Sequence, residues 1–312
     1  MGALADLAPW ASEVRSKNRK LSVTLRRGLD LNGLVNLLKT QDVSTIRALS
    51  LPGSVTTDGL RAVLASKRLT SLDSLALPGF PDADDAVDLV FETATMAKLH
   101  VLKVWSVSDA IDMRLARGDF VENLRQLEIK ASPDLTSLDR YFASSRIGSL
   151  RFLTVNNTGL ADATVLLENP ACSKLTSLSL ARCEFDAETV DVLVRARHLD
   201  SLRKLNLSYN RQDDVLGAIA KLLRSRKLRG LETLQLCGCE IEAYDWQHVD
   251  FPDLRRLDLR DNPLSLDEIL EIIDTSGLPN LAQLIVSSPE DTLPSNLDRR
   301  IVIDDRRPAW HR

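Results

Sequence analysis

The sequence predicts an α/β solenoid in which short parallel β-strands stack side by side and most strands are followed by a helical return. Three observations predict it. A nine-residue segment recurs eleven times, at intervals of 26, 26, 27, 25, 26, 25, 27, 29, 23 and 27 residues. Its fourth and sixth positions are aliphatic in every copy. Most of the intervening stretches place apolar residues at helical spacing.

The copies begin at Lys20, Ile46, Leu72, Leu99, Leu124, Leu150, Leu175, Leu202, Leu231, Leu254 and Leu281. "LRKLNLSYN", "LETLQLCGC" and "LRRLDLRDN" are typical, and "KLSVTLRRG" is a degenerate first copy. The fourth position is Val23 and then leucine throughout; the sixth holds leucine, valine or isoleucine from Leu25 to Val286. Alternating aliphatics put two side chains on one face of a short strand. One unit cannot bury that face alone, whereas stacked units build a continuous core. Each buried leucine then contributes about 1.5–3 kcal/mol.

The returns follow in order. Residues 186–199 set Val190, Leu193 and Val194 on one helical face, and 213–225 do the same for Leu216, Ile219, Ala220 and Leu223. In 265–277, Ser265 is the expected N-cap, Glu268 its capping-box partner, and Gly277 follows the end. The unit from Leu231 is the shortest, so a turn or 3₁₀ piece is expected there. The ends need covering. Residues 1–19 are read as an N-terminal capping helix, with Leu4, Leu7 and Val14 apolar, 20–290 as the solenoid, and 291–312 as a cap strand and tail.

The units fit the pattern L-x-x-L-x-L-x-x-N/C. The chain resembles the leucine-rich repeat family over nearly its whole length, most closely the ribonuclease-inhibitor-like and Ran-GTPase-activator-like branches. The resemblance implies a right-handed, horseshoe-shaped solenoid with a concave parallel sheet and convex helices. The alanine-, arginine- and aspartate-rich composition points to a bacterial source.

The 312 residues carry a net charge of −4, so the whole molecule is not an obvious polyanion binder. No apolar run is long enough to span a membrane, and the first residues do not read as a signal peptide. Four cysteines are too few for a disulfide framework and suit a reducing, cytoplasmic setting. No phosphate loop and no HExxH occur. The acidic cluster at 81–92 lacks the glycine and glutamate of a calcium loop and reads as a helix start. The basic run 15–27 lacks stacking aromatics, which argues against nucleic acid. Cys237 and Cys239 fall on different rows of the repeat. Cys239 takes the ninth position, beside Asn210, Asn262 and Cys183, and serves the backbone; Cys237 is expected to be an accessible thiol. No metal, cofactor or catalytic residue is assigned.

Positions three, five and seven point away from the leucines. The candidate partner-binding residues there are Val101, Lys103, Trp105, Glu128, Lys130, Phe152, Asn156, Lys204, Arg256, Asp258 and Arg260. Trp105 and Phe152 are the expected anchors, two units or about 10 Å apart. Cations outnumber acids at these positions, so the partner is expected to be a protein with an acidic surface. The expected function is a non-enzymatic protein–protein interaction module; the alternatives are a regulator of a small GTPase and an inhibitor of an enzyme or toxin. The sequence leaves the oligomeric state open.

Overall fold

The computed structural model describes residues 7, 10–17, 20–28, 31–79, 83–93, 96, 98–160, 163–183, 187–210, 215–242, 244–289 and 297–306. The chain divides into two compact units, 1–150 and 151–312.

In the first unit, β1 (Ala11–Lys17), β2 (Lys20–Leu25), β3 (Ile46–Ser50), β4 (Ser74–Leu77), β5 (Val101–Trp105) and β6 (Gln126–Ser132) lie in chain order. All neighbours are parallel except β1 and β2. The fourth-position residues Leu49, Leu75, Leu102 and Leu127 pair directly from strand to strand. In the second unit, β7 (Phe152–Thr158), β8 (Ser177–Ser179), β9 (Lys204–Asn206), β10 (Thr233–Gln235), β11 (Arg256–Asp258), β12 (Gln283–Val286) and β13 (Ile301–Ile303) are also in chain order, and every recorded pairing is parallel. Leu153, Leu178, Leu205, Leu234, Leu257 and Leu284 form one row. All fourth- and sixth-position side chains are at most 6% exposed, as a stacked core requires.

The returns among the described residues are α1 (Leu31–Thr40), α2 (Thr57–Leu64), α3 (Ala83–Glu92), α4 (Ala110–Arg117), α5 (Asp139–Ala143), α6 (Thr164–Glu168), α7 (Ala187–Arg195), α8 (Val215–Leu223) and α9 (Leu266–Asp274). α7 buries Val190 and Leu193, while Val194 is half-buried. α8 buries Ile219 and Leu223; the side chain of Leu216 lies outside the described residues. Acidic Asp84 and Asp85 occupy the first turn of α3, where the helix dipole favours them. The short unit makes its return through the expected 3₁₀ turn, Trp246–His248, with Trp246 fully buried.

The capping box of α9 forms: Ser265 accepts from the Glu268 amide and the Glu268 carboxylate accepts from the Ser265 amide. Gly277 has a different role from the expected cap. The cap position is Thr275, and a Cβ on Gly277 would lie 1.6 Å from the Val249 carbonyl oxygen. Glycine is required there by close backbone approach.

The N-terminus also differs from the expectation. Residues 11–17 form a strand antiparallel to β2, with Val14 opposite Val23, and not the end of a helix. A helix would shield the core but leave β2 with a row of unpaired amides and carbonyls; a strand satisfies them. Leu4 and most of residues 1–9 lie outside the described residues. At the other end, β13 pairs in parallel with β12.

A rule of the repeat is visible only in the backbone. In eight of the eleven units the eighth position turns left-handed: Gly79, Ser106, Ala131, Asn157, Arg182, Tyr209, Gly238 and Asp261 have φ between 49° and 64°. This turn ends the strand and brings the ninth side chain inward. Asn210 Oδ1 accepts from the Cys183 amide, and its Nδ2 donates to the carbonyls of Leu180 and Leu207, each at 2.8 Å. Asn262 repeats this with the Cys239 amide and the carbonyls of Leu236 and Leu259. Cys183 Sγ reaches the Val155 carbonyl at 3.0 Å, so the expected service to the loop backbone is what the ninth position performs.

Candidate functional site

The open face of the sheet is the side away from the leucine rows. On the first unit, β5 presents Val101, Lys103 and Trp105, and β6 presents Gln126, Glu128 and Lys130 in direct register. Glu128 is buried between two cations, with Lys130 Nζ at 2.7 Å and Lys103 Nζ at 2.9 Å. Burial alone would raise its pKa. The hydrogen bonds and charges of Lys130 and Lys103 outweigh that and hold the carboxyl below its ordinary range. Lys130 Nζ also stands 6.0 Å from the Trp105 ring centroid, and Trp105 is half-buried. The two lysines expected to steer an acidic partner therefore already hold an acid.

On the second unit, the candidates separate into buried and free groups. Asp258 is 0% exposed and Arg260 is 7% exposed. Arg260 binds Asp258 through Nε at 2.9 Å and Nη2 at 2.8 Å, and also reaches Asp304 Oδ2 and the Arg306 carbonyl. Hydrogen bonding to Asp258 holds the guanidinium firmly protonated. This cluster fastens the segment after β13 to the sheet, so the expected contact role of Asp258 and Arg260 is corrected to a structural one. Asn156 is likewise buried, its Oδ1 accepting from Ser179 Oγ at 2.9 Å and the Ala181 amide at 3.0 Å. Asn206 Nδ2 donates to the same Ser179 hydroxyl at 3.1 Å.

Cys237 is buried as well, which corrects the accessible thiol. Its Sγ lies 3.1 Å from Asp258 Oδ1, and burial pushes its pKa up. All four cysteines are buried, and none is in a disulfide. Among the described residues, no group of three or more His, Cys, Asp or Glu could hold a metal ion, and no helix is long and apolar enough to cross a membrane.

Three candidates remain exposed on this unit. Phe152 begins β7 and is 45% exposed. Lys204 begins β9 and forms no ion pair among the described residues. Arg256 begins β11, where its Nη1 donates to Gln283 Oε1 at 3.0 Å. Ser177, Thr233 and Gln283 share this third-position row.

No protein-family model and no curated protein matches the chain. Solved structures do. The chain is similar to a structure of the Rad7 and Elc1 complex from yeast, with a TM-score of 0.57 and 16% identity over 91% of this chain and 80% of that one. It is also similar to internalin InlF of Listeria monocytogenes, with a TM-score of 0.52 and 18% identity over 92% of this chain and 74% of that one. The fold is a leucine-rich repeat solenoid. At such low identity the likeness concerns the fold alone, and the function of the solenoid has to be argued from its own side chains.

Proposed function

We propose that this leucine-rich repeat solenoid is a non-enzymatic module that binds a protein with an acidic surface on the open face of its sheet. One observation carries the reading: Phe152 is a large aromatic residue, 45% exposed, on a face that contributes nothing to the leucine core. Aromatic side chains are favoured anchors at interfaces. Lys204 and Arg256 supply exposed positive charge on the same face of the same unit. β1 and β13, within the expected end segments 1–19 and 291–312, act as caps on their neighbouring strands. A reducing compartment such as the cytoplasm fits four buried cysteines outside any disulfide.

The test starts from one protein captured by the wild-type chain, identified and then purified. Its affinity is measured by calorimetry for the wild type and for Phe152→Asp. The expected result is a loss of ten-fold or more with an unchanged melting temperature. Equal affinities for the two would overturn the reading.

A further inference from the structure

We infer that the open face of the second unit holds an acidic polyproline-II segment, read at every third residue by Phe152, Lys204 and Arg256. The inference rests on the binding reading above and goes further by specifying the ligand.

The argument begins with the register. Phe152 pairs with Ser177, Ser177 with Lys204, Lys204 with Thr233, Thr233 with Arg256, and Arg256 with Gln283. Long side chains therefore stand on alternate strands, with a small residue between each pair. Neighbouring strands are about 4.8 Å apart, so the three contacts repeat at about 9.6 Å.

A ligand lying across the strands has to present its own contacts at that interval on one side. A polyproline-II helix has three residues per turn and rises about 3.1 Å per residue, so its side chains return to one face every 9.3 Å or so. A β-strand returns to one face about every 6.7 Å, which misses the second contact. An α-helix returns after seven residues, or about 10.5 Å. From Phe152 to Arg256 the accumulated mismatch is about 0.6 Å for polyproline II and about 1.8 Å for the helix. Ser177 and Thr233 leave room between contacts for the turns of the ligand that face elsewhere.

The chemistry agrees with the spacing. An exposed aromatic ring is the natural platform for a proline ring. Three residues on, a carboxylate meets Lys204; after three more, another meets Arg256, whose guanidinium is oriented by Gln283 but not neutralised by it. Nearby second-position residues are Arg151, Arg203 and Arg255, against Glu232. Asp258 is already neutralised by Arg260. The first unit does not offer an equivalent row, because its third positions hold Ser22, Ala48, Ser74, Val101 and Gln126, with no cation among them.

A peptide array probed with the labelled full-length chain tests this. Each peptide has one proline and two aspartates in a serine–alanine background of fixed composition. The separation between the three runs from one to seven residues, in both chain directions. The expected signal peaks at a separation of three and falls about ten-fold when both aspartates become asparagine. The variant Lys204→Glu with Arg256→Glu, both changes on exposed side chains, should lose these peptides and instead take those carrying lysines at the same spacing. No spacing optimum, an optimum at seven, or charge reversal without the exchange of ligand would each overturn the inference. If the purified partner still loses affinity for Phe152→Asp while the array shows no optimum at three, the segment is wrong and the binding face stands. If the partner binds Phe152→Asp normally, the face itself is wrong.

Discussion

Replacing Asn210 by alanine tests the internal logic of the repeat. The side chain is buried and makes three hydrogen bonds of 2.8 Å, one from the Cys183 amide and one to each of the Leu180 and Leu207 carbonyls. Leu180 belongs to the preceding repeat, so the contact fastens neighbouring repeats together as well as closing its own turn. At about 1 kcal/mol net per bond, Asn210→Ala should cost about 3 kcal/mol. Asn210→Cys should cost less, about 2 kcal/mol, because a thiol in this slot can still reach a carbonyl of the preceding repeat. Cys183 does so at 3.0 Å and Cys239 at 3.5 Å. Urea unfolding monitored by circular dichroism gives the stabilities, and amide exchange at Cys183 gives the local effect. The predicted order is wild type, then cysteine, then alanine, with Cys183 exchange accelerated most in the alanine variant. A loss below about 1 kcal/mol in Asn210→Ala, or a cysteine variant worse than alanine, would refute the reasoning.

Other expectations follow from the turn, the buried acid and the thiols. Ala131 holds φ 49° without a side-chain hydrogen bond to repay it, so Ala131→Gly should raise stability by about 0.5–1 kcal/mol, read as a higher melting temperature. Glu128→Gln should destabilise the fold by about 1–2 kcal/mol at neutral pH. The folded pKa of Glu128 is lowered, so its contribution is present above the ordinary value of 4.5 and fades as pH falls through the folded value. The gap between wild type and variant should therefore close in acid, and a pH-independent gap would exclude ionic pairing as its cause. The thiols should react with a soluble maleimide only as fast as the protein opens, since burial pushes Cys172 up to about 12 and raises Cys237 as well. Burst labelling of Cys237 in the native protein would contradict its buried position.

The strand rows were legible because every unit presents the same slots, and because a residue's slot decides whether it faces the core. The capping box of α9 and the 3₁₀ return at Trp246–His248 were legible from local residue choice. What the sequence reading missed came from treating charges as a total. Lys103 and Glu128 occupy the same slot in adjacent repeats, so their pairing was implied by the register. Asp258 and Arg260 are two residues apart at the end of β11 and just beyond it, which allowed the ion pair they form. The N-terminal strand was hidden for another reason. "ASEVRSK" has no distinctive alternation, and it forms a strand because β2 offers an unpaired edge.

These corrections reveal a gradient along each strand. On β7 the first outward residue, Phe152, is exposed, while the last considered, Asn156, is tied down by hydrogen bonds. Lys204 at the start of β9 is exposed, while Asn206 at its end and Ser208 just beyond are buried. Arg256 at the start of β11 is exposed, whereas Asp258 at its end and Arg260 just beyond are locked together. The cause is the left-handed turn at or just beyond the end of each of these three strands, because polar groups approaching it need partners inside the protein. Strand starts carry no such obligation. Side chains at the third position of these strands can therefore change without disturbing the stack. Substitutions at Phe152, Lys204 and Arg256 should alter binding with little change in stability, while those at Asn156, Asp258 and Arg260 should do the reverse. If Arg256→Ala lowered the melting temperature as much as Arg260→Ala, the division between the two ends of the strand would fail.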